Sequence, residues 1–209
     1  MKFIDLFQQG GFVMYPLLLC SLAIWAVVFE KIWEIRSFRR ECQKLHNKAI
    51  LLIKEKKLEE VRGLFQSAGP NIARPHLTLL EILDPGVTWE KIQERVARRA
   101  KETQLALRKF LWILGTIASA APFIGLFGTV VGIIKSFDSM AGQGKSGFAV
   151  VAAGLSEALI ATAAGIFVAV MAVLFYNYFQ TKLNRINIEF KHRLEDFGDL
   201  IDRYHNTAK

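Results

Sequence analysis

The chain has 209 residues, of which 52% are hydrophobic and 22% charged, with a formal net charge of +8. A soluble domain averages roughly 45–50% apolar and about 25% charged residues; the excess here is modest but gathers in three blocks, 10–29, 110–134 and 148–179. Each block can cross about 30 Å of hydrocarbon, which needs about 20 apolar residues, so a purely soluble enzyme and a disordered chain are both excluded.

Residues 1–11 place Phe3, Ile4, Leu6 and Phe7 at helical spacing before Gly10-Gly11. This predicts a short interfacial helix outside the cytoplasm. The first block follows as a membrane helix over 12–29. It is too long for a signal-peptide core and no A-x-A site follows it, so it reads as an uncleaved span.

Residues 30–109 carry 18 Lys and Arg against 11 Asp and Glu. Ile32, Trp33, Ile35, Leu45, Ile50 and Leu51 keep a helical period on this charged background. Gly69-Pro70-Asn71 and Asp84-Pro85-Gly86 read as breaks. Thr88 is placed to cap a helix, with Glu90 in its first turn. From Trp89 the pattern predicts a helix running through Phe110 straight into the second span. The region is expected to be a cytoplasmic helical hairpin built on extensions of membrane helices.

The second span, 110–134, carries a stripe of small residues: Ala118, Ala121, Gly125, Thr129 and Gly132, with Gly128-x-x-x-Gly132 beside it. Small residues let membrane helices approach closely. Pro122 removes one helix hydrogen bond and can kink the span. Residues 135–147 read as a periplasmic hairpin. Gly144-Lys145-Ser146 imitates the end of a phosphate-binding loop, but position 139 is Ser139 where the pattern needs Gly.

The third span, 148–179, holds one charge, Glu157. Counted from the start of the block, it lies about 13 Å deep, close to the midplane. A charged acid there costs roughly 2.5 kcal/mol or more. The three blocks contain no Lys, Arg or His. Glu157 must therefore be protonated, wetted or paired by another chain, and each choice implies an assembly. Thr162 sits among Ala158, Ala161 and Gly165. Glu157 and Thr162 are about 140° apart around a helix. The expectation is that Glu157 faces a lumen and Thr162 turns toward the helix of Thr129. Helical spacing continues through 180–209, from Leu183 to Ile201, as a cytoplasmic C-terminal helix.

Orientation follows Lys and Arg near the membrane. Lys31, Arg36, Arg39 and Arg40 follow the first span, Arg108 and Lys109 precede the second, and Lys182 and Arg185 follow the third. These ends are expected in the cytoplasm, with the N-terminus outside. The +8 is thus a positive-inside signal, and nucleic-acid binding is not expected. Cys20 and Cys42 form no disulfide framework, and the four histidines have no ligand spacing. No metal, cofactor or enzymatic site is expected. The fold class is an all-α membrane protein with three transmembrane helices and long cytoplasmic helical extensions.

Two stretches carry a resemblance. Ala121-Pro-Phe-Ile-Gly-Leu-Phe-Gly-Thr-Val-Val-Gly-Ile133 and Gly154-Leu-Ser-Glu-Ala-Leu-Ile-Ala-Thr-Ala-Ala-Gly165 are similar to the core motifs of the MotA/TolQ/ExbB proton-channel family, closest to its ExbB/TolQ branch. Ala153 and Met171 stand where that branch usually has prolines, and Ser156 where it usually has Ala. The resemblance implies a homopentamer around a dimer of a small single-span ExbD/TolR-type partner. It implies that protons are the coupling ion, that Thr129, Thr162 and Glu157 match the proton-path positions, and that the complex is an inner-membrane motor. Gly125, Gly128, Gly132, Pro122, Ala158, Ala161 and Gly165 are expected to serve helix packing. The alternative is a passive helical scaffold that clamps a membrane partner without ion flow.

Overall fold

The structure, a computed structural model, describes residues 10–83, 87–143 and 148–207. Helices α1 (Met14–Lys54), α2 (Leu58–Gln66), α3 (Pro70–Leu80), α4 (Trp89–Leu107), α5 (Leu111–Gln143) and α6 (Phe148–Thr207) follow in order, with a 3₁₀ turn at Glu81–Leu83. No strand occurs among the described residues. The predicted helix over 1–11 and the turns at Asp84-Pro85-Gly86 and Gly144-Lys145-Ser146 fall wholly or largely outside the described residues.

The chain divides into two units. An apolar unit takes Met1–Glu30 and Phe110–Phe179, and a polar unit takes Lys31–Lys109 and Gln180–Lys209. In the apolar unit, α1, α5 and α6 are each long and apolar enough to span a membrane. No more than 33% of any of their apolar windows is buried within the chain. Phe29, Phe123, Phe127 and Phe167 stay exposed. So large an apolar surface calls for lipid or further protein.

The polar unit has a conventional core. Val61, Phe65, Ile92, Phe197 and Ile201 are fully buried. The rings of Phe65 and Phe197 meet edge to face at 5.4 Å. The first helical extension ends at Lys54 because Lys56 turns left-handed, φ 61°. Lys57 N–H then donates to Leu52 O at 3.0 Å and Lys56 N–H to Ile53 O at 3.0 Å. This is the paired cap that closes a helix C-terminus. Pro70 opens α3, and the Gly69 N–H ahead of it donates to Glu41 Oε1 of α1 at 3.0 Å. Residues 30–109 are therefore an extension and three further helices rather than one hairpin.

Two more expectations are corrected. The helix starting at Trp89 does not continue into the second span. It ends at Leu107, and Phe110 takes a left-handed φ of 68° before α5 begins. The reason is a cap drawn from far along the chain. Lys31, with no exposed surface, donates from Nζ to Leu107 O at 3.1 Å and also bonds Glu34. An ammonium is well placed at the negative end of a helix. The stretch expected as a hairpin, 135–147, is for its part helical through Gln143 as the continuation of α5. Thr88 does precede α4, but its hydroxyl makes no capping bond. The Thr103 hydroxyl instead ties α4 to α3 by donating to Asn71 O at 2.8 Å.

Candidate functional site

The spanning part of α6 presents two working faces, and the small residues decide where each lies. One face meets α5 at backbone distance. A methyl added at Gly125 would come 3.0 Å from Ala161 O and from Thr162 Cα. One added at Gly165 would come 2.7 Å from Ala121 O and 2.9 Å from Gly125 Cα. Toward the other end, Gly132 faces Ala158 and Gly128 faces Ala161. A methyl added at these two glycines would come 2.7 and 2.8 Å from the respective alanine Cβ. Only small side chains fit such a crossing. Pro122 lies within α5, which continues through it without a break.

Thr162 sits in this seam. Its hydroxyl donates to Gly125 O at 3.0 Å, across the two helices. In a regular helix that same carbonyl accepts the backbone N–H four residues on, that of Thr129. The two threonines thus converge on one carbonyl from two helices. Thr129 itself turns its hydroxyl back to Leu126 O at 2.6 Å on α5.

Glu157 belongs to the other face. It heads the row Ile160, Ala164, Val168 and Met171, which with Met14, Leu17, Ser21 and Trp25 lines an apolar groove of about 510 Å³ between α6 and α1. Its carboxyl group lies against Gly11, where an added Cβ would come 3.2 Å from Glu157 Cδ. Gly11 has φ 67°, a conformation that glycine takes without strain. Within the single chain Glu157 is half-buried beside the entry to α1.

Gly11 precedes the first residue of α1, and Gly132, level with Ala158, lies three residues before Lys135. Glu157 is therefore level with the entry to α1, with Thr162 more than a turn further along α6 at 1.5 Å per residue.

Sequence reasoning missed Ser136, Gly154 and Gly11. Ser136 donates to Gly132 O at 2.7 Å and fills the space left by the missing side chain of Gly154. It continues the four-residue stripe beyond Gly132, a signal present in the sequence. The sequence marks Gly10-Gly11 as a break but carries nothing that ties Gly11 to Glu157.

Residues 55–192 match the MotA/TolQ/ExbB proton channel family. The chain belongs to this family. The ExbB biopolymer transport protein of Salmonella typhimurium is 32% identical over 180 residues, covering 82% of this chain and 72% of that protein. The ExbB of Pseudomonas putida is 37% identical over 175 residues, covering 80% of this chain and 52% of that protein. The Tol-Pal system protein TolQ of Pseudomonas aeruginosa is 36% identical over 128 residues, 59% of this chain and 55% of that protein. The MotA/TolQ/ExbB match includes the whole α5–α6 seam and Glu157, while Gly11 and the spanning part of α1 lie outside it.

Proposed function

We propose that this chain is the channel-forming subunit of an inner-membrane motor. It converts proton-motive force into mechanical work on a periplasm-spanning ExbD/TolR-type partner and so energises transport or envelope processes. Five copies surround a dimer of that partner, with the N-terminus periplasmic and the C-terminus cytoplasmic. Protons are the coupling ion, and the chain makes and breaks no covalent bonds.

The observation that carries this reading is the hydroxyl of Thr162 bonded to Gly125 O in the glycine seam, in a chain of this family. A hydroxyl that gives its proton to a carbonyl keeps two lone pairs free to accept. It can receive a hydrogen bond from a protonated carboxyl group or from water without rearranging its own donor. Thr129, held to the same turn of α5, keeps a second hydroxyl nearby. Glu157, on the same helix as Thr162, supplies a carboxyl group to the path.

Native mass spectrometry of the complex, drawn from its own membranes by a C-terminal tag, tests the architecture. Five copies with two copies of a small single-span protein are expected. A ring without such a protein, or a monomer on another partner, would favour the passive scaffold.

A further inference from the structure

The polar unit encloses a histidine that the proposed proton path does not use. His76 of α3 is 1% exposed. Its ring stacks on Phe65 of α2, with centroids 4.3 Å apart and planes at 14°. The rings of Phe197 and Phe190 of α6 stand at 5.2 Å and 5.9 Å. Nδ1 lies 2.8 Å from Ile72 O and donates to it, while Nε2 has no hydrogen-bond partner. The uncharged ring thus leaves one bare acceptor, a smaller cost than a buried charge. An imidazolium carries two N–H donors, and here the second would be buried among phenylalanine rings with nothing to accept it.

The surrounding charges do not rescue the cation. From α1 comes His46, itself buried with its Nδ1 unpartnered, and it disfavours the cation. From α6 come Arg193 and Asp196, which act on His46 with opposite signs. From α2 comes the Phe65 ring, and α4 is tied to the His76 helix through the uncharged Thr103 hydroxyl. Burial holds His76 down to about 4; the Ile72 carbonyl offsets this in part, and His46 adds to it.

We propose that His76 is an acid-release latch: its uncharged ring closes α2 and α3 onto α6, and protonation opens that contact. An opened, solvated His76 titrates near 6.5 and the closed one near 4. Closure is therefore fully favoured above pH 6.5 and is lost progressively as pH falls toward 4, with one extra proton taken up on opening. The opening equilibrium shifts about tenfold per pH unit in that window. On the proton-channel reading, on which this last consequence alone rests, acid accumulating beside the polar unit would loosen it and brake the motor.

Hydrogen exchange of the full complex in lipid nanodiscs tests the latch, with rates corrected for the intrinsic effect of pH. Peptides covering 58–80 and 190–201 should open about tenfold more at pH 5.5 than at pH 7.5. His76→Phe, and His76→Gln should the first variant not fold, should remove this pH dependence, whereas His46→Gln should retain most of it. Equal protection of the wild type at both pH values, or an unchanged acid response in the His76 variants, would overturn the proposal. Proton flux measured on the same nanodisc preparation after transfer to vesicles separates the two readings. Acid opening without flux at any pH would contradict the channel and leave the latch standing.

Discussion

Lys31 shows how one side chain sets the course of the backbone. Its ammonium is wholly buried, and it accepts that burial because Leu107 O and Glu34 share its protons. Replacing it with Met keeps the aliphatic stem but leaves a helix-end carbonyl and a carboxylate without their donor. Lys31→Met should destabilise the polar unit by about 1–3 kcal/mol, read as a lowered midpoint in denaturant with an unchanged slope. The break that Lys31 caps was not legible in the sequence. Phenylalanine carries no signal for a left-handed turn, and the capping donor lies 76 residues from its acceptor. The turn of Thr162 toward the helix of Thr129 was legible, because a hydroxyl among small residues in an apolar span finds its acceptor on the helix it packs against. Burial of His76 was not, because its three aromatic neighbours come from two other helices.

At the scale of the element, the same residue type does opposite work in two helices. Gly165 on α6 faces backbone, so the methyl of Gly165→Ala would strike Ala121 O and Gly125 Cα, neither of which can rotate away. That substitution should cost about 1–3 kcal/mol and loosen the α5–α6 seam, seen as earlier thermal dissociation of the complex. Gly63 on α2 is exposed, and an added Cβ there meets nothing within 4 Å. Gly63→Ala should stabilise the polar unit by about 1 kcal/mol through helix propensity alone, seen as a raised melting temperature. Spacing identifies the first glycine as a packing residue. The depth of Glu157 is hard to read from sequence for a reason at this same scale. A 60-residue helix without internal proline offers no mark of where the membrane begins.

At the scale of the molecule, periodicity and charge convey the division into apolar and polar parts. The blocks 10–29, 110–134 and 148–179 closely follow the apolar unit. The internal breaks of the polar unit are harder to read, since a Lys at a left-handed cap such as Lys56 looks like any solvated residue. The spanning helices bury a third or less of their apolar windows within one chain, which suits a subunit of a larger membrane assembly. Proton flux through the purified complex in vesicles, wild type against Thr162→Val, tests the central claim most directly. Valine keeps the shape of threonine and removes the hydroxyl that bonds Gly125 O. The account predicts that flux is abolished while the assembled mass stays unchanged; wild-type flux through an intact Thr162→Val complex would contradict it.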